Sequence, residues 1–195
     1  VAARLAAPEP PHWARAVLEE GHRLVPLDTL LAPGLAPGLA PGALGDLVMA
    51  QPRPLEPAEN VALDGWVRRG GHLLLFADPL LTAPSRFALG DPRRPADTVL
   101  LDPILTHWGL VLQGAGATRE TAGAPFPVES PGALALLPGA AACRIEQAGL
   151  MAKCRIGKGF VLIVADAALL APAAGADAAA RARALRDLMR QTFAR

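Results

Sequence analysis

Tyrosine is absent from this 195-residue chain, lysine is nearly absent, and aromatic residues make up only 4% of it. Arginine therefore carries the positive charge, and that bias, with the excess of alanine and proline, reads as the imprint of a GC-rich genome rather than of a function. A formal net charge of +1 supplies neither a basic field for nucleic acid nor an acidic one for cations. No nucleic-acid partner is expected. The four histidines, His12, His22, His72 and His107, are scattered without HxxxH, HExxH or HxH spacing, so no metal site and no cofactor is expected. Serine is as scarce: Ser85 and Ser130 lie in loops, and neither sits in a GxSxG turn that would expose a nucleophile. Gly157-Lys158-Gly159 joins two expected strands instead of opening a helix, so it is no phosphate loop. Long hydrophobic runs are missing too. The most apolar window, Phe160 to Leu170, is too short to span a bilayer and contains Asp166. Any membrane attachment is expected through segments outside this chain, which starts at Val1 as a processed protein or as an excised domain.

What the chain does contain is a readable α/β pattern. Its length suits one domain, expected over residues 1–195, although alanine in loops and helices inflates the hydrophobic fraction of 52%. The clearest stretch is DLVMAQPRPLEPAENVALDGWVRRGGHLLLFADP, residues Asp46 to Pro79. Leu47 to Ala50 reads as a strand buried on both faces. Pro57 opens a helix at a position where its missing N–H costs nothing, and Glu56 and Glu59 suit the positive end of the dipole. Val61, Leu63, Trp66 and Val67 are expected to form the buried stripe. Gly70-Gly71 allows the left-handed residue that ends the helix, and His72 to Ala77 follows as a second strand. A helix between two buried strands implies a parallel pair with a right-handed crossover and a pocket beyond the strand C-termini, near Asp78.

On either side of this unit the signals are shorter. Val1 to Leu5 reads as an edge strand, and Pro10-Pro11 starts a helix carrying Trp13, Val17 and Leu18. Arg23 to Leu27 is expected as an edge strand because Pro26 cannot donate to a ladder. The threefold LAPG repeat from Leu31 to Gly42 breaks any helix and reads as a semi-rigid surface loop. Leu100 to Trp108 is expected as a helix and Leu110 to Leu112 as a strand. Near the C-terminus Cys143 to Glu146, Leu150 to Arg155 and Phe160 to Val164 read as an antiparallel meander, with Cys143, Ile145, Leu150, Ala152 and Cys154 on its inner face. A helix from Ala178 to Phe193 closes the chain.

Two groups of residues carry chemical interest. A turn centred on Ala148-Gly149 puts Cys143 opposite Cys154, within reach of a cross-strand disulfide that would suit an oxidising compartment. The alternative, two reduced cysteines used as small core residues, stays open. The second group is a set of aspartates at expected strand ends, Asp28, Asp78 and Asp166, with Asp102 at a helix start nearby. Gathered together with Pro79, the carboxylates of Asp78, Asp102 and Asp166 would line a ligand pocket. Taken singly, each is a cap of a helix or turn.

Four blocks, DLVMAQPRPLEP, ALDGWVRRGGHLLLFADP, LLDPILTHWGLVL and GKGFVLIVADAALL, occur in an order that resembles the extracytoplasmic domain of auxiliary proteins of gliding-type ABC transporters. That family is similar in fold to the intraflagellar-transport GIFT domain and to class I glutamine amidotransferases. The resemblance implies an α/β, Rossmann-like three-layer sandwich with a mostly parallel sheet and an antiparallel C-terminal meander. In amidotransferase-type enzymes a cysteine nucleophile occupies the sharp turn after a central strand, and here that turn reads Asp78-Pro79-Leu80. The resemblance thus implies no catalytic residues. It implies instead a periplasmic or otherwise extracytoplasmic binding or scaffolding domain of a membrane-anchored protein, with transport-complex subunits or a saccharide-like ligand as partners. The competing expectation is a hydrolase that uses Asp78, Asp102 and Asp166, which requires the three side chains to converge within about 10 Å.

Overall fold

After His72, every residue of the strand His72–Phe76 is buried, and the sheet is built outward from it. The computed structural model describes residues 12–31, 44–85, 87–88, 90–91, 94–114 and 123–194. The expected strand Val1 to Leu5 and all of the LAPG repeat after Leu31 lie outside the described residues. In chain order the elements are α1 (Trp13–Leu18), β1 (Asp46–Ala50), α2 (Pro57–Arg68), β2 (His72–Phe76), α3 (Asp102–His107), β3 (Leu110–Gln113), β4 (Ala133–Leu136), β5 (Cys143–Glu146), β6 (Met151–Ile156), β7 (Gly159–Val164) and α4 (Gly175–Phe193). Five strands form one sheet in the order β1-β2-β7-β6-β5, and β3 pairs with β4 in a separate two-stranded sheet.

Parallel pairing joins β1 to β2 and β2 to β7, while β7–β6 and β6–β5 are antiparallel. The sheet is therefore evenly mixed rather than mostly parallel. Its two faces are read off the alternation along the central strands. Leu73, Leu75, Val161 and Ile163 pack with Leu63, Trp66 and Val67 of α2 and Ile104 and Leu105 of α3. Leu74, Phe76, Leu162 and Val164 pack on the other side with Ala14 and Val17 of α1 and Leu185, Leu188 and Met189 of α4. Helices thus cover both faces, which is why β2 and β7 read as unbroken apolar runs. Each fully buried leucine contributes about 1.5–3 kcal/mol relative to an exposed one.

The βαβ unit forms as its local signals require, with two differences. Pro57 opens α2, and Gly70 takes the left-handed conformation (φ 120°) just after its end. Val61, however, is 74% exposed, and the inward stripe is Glu59, Leu63, Trp66 and Val67. Those positions follow the spacing i, i+4, i+7, i+8, so a carboxylate occupies the place given to valine. The second difference concerns β1, which is half-buried rather than enclosed. Arg23 to Leu27 forms no strand beside it, and Leu24 and Val25 stay exposed. An edge segment becomes a strand only when its backbone pairs with a neighbour, and no backbone bond from Arg23 to Leu27 reaches β1 among the described residues.

The Gly157-Lys158-Gly159 turn has a packing reason for its glycines. A Cβ on Gly159 would lie 2.1 Å from the Val67 carbonyl oxygen and 2.4 Å from that of Gly71. This closeness lets the Lys158 N–H reach the Arg68 carbonyl (3.0 Å) and the Phe160 N–H reach the Gly71 carbonyl (3.2 Å), tying β7 to the end of α2.

Cys143 and Cys154 face each other in the β5–β6 register and are joined by a disulfide, with Cα atoms 4.0 Å apart. Both lie in the core on the α2 and α3 side, as do Ala152 and, partly buried, Ile145, whereas Leu150 packs on the opposite side. The departure of Leu150 follows from the 3-10 turn Gln147–Gly149, in which Gln147 and Ala148 adopt positive φ and rotate the chain out of strand geometry. Reduction is expected to cost about 3 kcal/mol, the loop-closure entropy of an eleven-residue separation. Urea midpoints with and without reductant measure this, and thiol titration of the unfolded, unreduced protein should find no free thiol; two free thiols would refute the bond.

Candidate functional site

The chain leaves β2 through Ala77 and Asp78 and leaves β7 through Ala165 and Asp166, at neighbouring strand ends on the same side of the sheet. Position alone would make this the pocket of an α/β sheet. Both aspartates are sealed, Asp78 being 1% and Asp166 0% exposed. Their carboxylates are spent on backbone donors. Asp78 Oδ1 accepts from the Leu80 N–H (2.8 Å) and Oδ2 from the Ala167 N–H (3.1 Å). Asp166 Oδ1 accepts from the Ala168 N–H (2.7 Å) and Oδ2 from the Glu129 N–H (2.8 Å). Each therefore caps its own turn and ties in a second segment, Asp78 reaching across to the end of β7 and Asp166 to the segment before β4.

Burial pushes the Asp78 carboxyl above the ordinary carboxylate range, against the two N–H donors that favour its charge. For Asp166 burial does the same more strongly, and the charges of Asp78 and Glu129 add to it, so that it is pushed up to about 7. No cation pairs with either carboxylate among the described residues. Such a group has the proton affinity of a general acid or base, but no substrate reaches a side chain with no exposed surface.

Asp102 does not join them. It is exposed, at the first position of α3, and the charges acting on Asp166 are Asp78 and Glu129. Pro79 is half-buried, and its ring lies against Gly132, where an added Cβ would come within 2.8 Å of Pro79 Cγ. Asp28 is exposed beside β1. Among the described residues, no three His, Cys, Asp or Glu side chains are grouped to hold a metal ion.

Two more residues matter here, Gln51, which no sequence signal singles out, and Glu59, expected only as a charge at the start of α2. Gln51, 5% exposed, donates from Nε2 to the carbonyls of Asp78 (2.9 Å) and Ala96 (2.8 Å), and its Oε1 accepts from the Asp78 N–H (2.9 Å). It does so from a left-handed backbone (φ 46°), an uncommon conformation for a residue other than glycine. The two bonds to Asp78 satisfy the backbone of the turn that follows β2. The second is Glu59, 1% exposed. Arg53 grips it with both terminal nitrogens at 2.8 Å, and it also accepts from Thr29 Oγ1 (2.9 Å), the Leu30 N–H (3.1 Å) and the Glu56 N–H (3.1 Å). The Arg53 guanidinium, first, and these other donors hold its carboxyl down at about 2. The one sequence signal for it was its place three residues after Glu56 at a helix start, the spacing of a capping box.

Beside β1 a groove of about 340 Å³ runs between Val25 to Leu30 and the strand, with Arg53 and Glu59 at its polar end. Both terminal nitrogens of Arg53 are already engaged, with Glu59 and with the Pro54 and Asp28 carbonyls, which leaves little there for an anionic ligand.

No protein-family model matches the chain, and no curated protein does. Solved structures do, at low similarity. The exo-β-1,4-mannosidase Op5Man5 from Opitutaceae bacterium strain TAV5 is 17% identical with a TM-score of 0.44, covering 81% of this chain and 25% of its own. The β-galactosidase of Rahnella sp. R3 is 10% identical with a TM-score of 0.34, covering 76% of this chain and 21% of its own. The chain thus spans about a quarter or less of the length of these enzymes. At these scores their activities are not transferred to it.

Proposed function

We propose that this chain is a non-catalytic binding or scaffolding domain, carried outside the cytoplasmic membrane by a membrane-anchored auxiliary protein of an ABC-type transporter. The observation that carries the non-catalytic part is the state of Asp78. It stands in the turn after the central strand, is buried, has both oxygens committed to backbone donors, and has its own backbone held by Gln51. A residue so enclosed stabilises a turn and attacks nothing. The extracytoplasmic part is supported by the buried Cys143–Cys154 disulfide, since such bonds persist in oxidising compartments. The transport assignment rests on the resemblance of the four sequence blocks, and an amidotransferase-like fold is the finer reading of the mixed sheet with helices on both faces. A carboxylate hydrolase is disfavoured, because Asp78 and Asp166 are sealed from solvent.

A screen of simple ester, amide and glycoside substrates is expected to show no turnover, and the full-length parent protein is expected to co-purify with an ABC permease. Turnover abolished by Asp78→Ala would overturn the non-catalytic reading. A parent protein that co-purifies without transporter subunits would overturn the transport assignment.

A further inference from the structure

The segment Gly123–Gly132 contains no helix or strand, yet it is held against the ends of β2 and β7 at three points. Phe126, 7% exposed, is inserted into the core on the α1 and α4 side. The Glu129 N–H donates to Asp166, and the Gly132 N–H donates to the Ala165 carbonyl at 2.7 Å. Between the last two, Ser130 takes a left-handed backbone (φ 53°), an uncommon conformation for a residue other than glycine. The docked segment is thus strained as well as pinned. Beneath it lie two carboxylates that no cation among the described residues pairs with.

The charged groups around Asp166 set what happens when it ionises. From the end of β2 it faces Asp78, and from the segment itself Glu129, both of the same sign. The cation packed against the turn Ala168–Leu170, Arg181 of α4, is bound to the Ala168 and Leu169 carbonyls and to Asp177 instead. Among the described residues, an ionised Asp166 therefore gains its two N–H bonds against burial and two like charges.

We infer that Asp166 and Asp78 form a pH-sensitive latch: with its proton, the pair keeps Gly123–Gly132 docked over the strand ends, and without it the pair favours an undocked segment that admits water to both carboxylates. Undocking hydrates Asp166, returns it toward an ordinary carboxylate and releases one proton to solvent. The docked carboxyl titrates at about 7 against an ordinary 3.8, so the undocking constant rises with pH between those values and is level above them. The rise is at most about tenfold per pH unit, the limit for one proton.

Amide exchange of the intact chain tests this, with protection factors corrected for the intrinsic pH dependence of exchange. The Glu129 and Gly132 amides should be less protected than those of Leu74 and Leu162, and between about pH 5 and 7.5 their protection should fall by about tenfold or more. Asp166→Asn, which cannot ionise, should leave only the smaller dependence that Asp78 contributes. Asp78→Asn, which deletes one like charge and keeps Asp166, should move its midpoint to lower pH, and it serves where Asp166→Asn does not fold. Protection equal to that of the core strands, protection independent of pH, a slope undiminished in Asp166→Asn, or an unmoved midpoint in Asp78→Asn would each overturn the latch.

Discussion

Replacing Glu59 by alanine is expected to destabilise the protein by about 2–4 kcal/mol, since each buried backbone donor left without its acceptor costs about 1–3 kcal/mol. The size follows from what is left behind. Glu59 accepts from Arg53, Thr29, Leu30 and Glu56, so truncation orphans the buried Leu30 N–H and the Glu56 N–H at the start of α2. It also frees the segment around Thr29 from the helix it is tied to. Arg53 is half-exposed and is rehydrated when Glu59 is lost, whereas Arg53→Ala leaves the buried Glu59 carboxylate without its cation, so Arg53→Ala should cost at least as much as Glu59→Ala. Urea midpoints of wild type, Glu59→Ala, Glu59→Gln and Arg53→Ala measure the series, with Glu59→Gln expected between the extremes because its amide keeps part of the network. A loss below about 1 kcal/mol for Glu59→Ala, the range of a surface pair, would mean that Glu59 is not the tie the structure makes it.

The second large effect is a stability that falls as pH rises from about 4 to 7. Asp166 is raised in the folded protein, from 3.8 to about 7. Below the unfolded value the carboxyl is protonated in both states and folding costs it nothing. Between the two values the unfolded chain ionises and the folded one does not, so the unfolded state gains. Above about 7 the full difference, about 4 kcal/mol, has been lost. Asp78 is shifted in the same direction and adds to the trend. Glu59 acts with the opposite sign in another window. Its folded value of about 2 lies below the ordinary 4.5, so its contribution is complete above 4.5 and is lost as pH falls through about 2. Together these groups place the stability maximum near pH 4–5, lower than the neutral range usual for globular proteins. Denaturant midpoints taken from pH 2.5 to 8.5 trace this curve, and Asp166→Asn should flatten its upper limb. A midpoint constant or rising between pH 4.5 and 7 would show that Asp166 is ionised in the folded protein.

Much of the framework was legible because its signals are local. Pro57 at a helix start, Gly70 after its end and the unbroken apolar run of β2 all act within a few residues of themselves, and α2 and β2 form where they point. The Cys143–Cys154 pairing was legible as one of two alternatives, because a short turn sets the register of the strands that flank it. Val61 and Glu59 were misplaced for a physical reason: hydrophobicity assigns valine inward, and only the presence of Arg53, Thr29 and the Leu30 N–H makes it favourable to bury the carboxylate instead.

By itself, then, the sequence determined the βαβ unit and the C-terminal meander. Those properties depend on residue identity and short-range spacing. Tertiary structure alone decided that Arg23 to Leu27 forms no strand, since an edge strand exists only through its partner's hydrogen bonds. It alone decided the fate of the aspartates. Asp78 and Asp166 meet because β7 pairs directly with β2, bringing together positions such as Asp78 and Ala167 that are 89 residues apart. Their burial, their backbone partners and the raised proton affinity that follows are consequences of that one pairing, and nothing in the spacing of the aspartates along the chain encodes it.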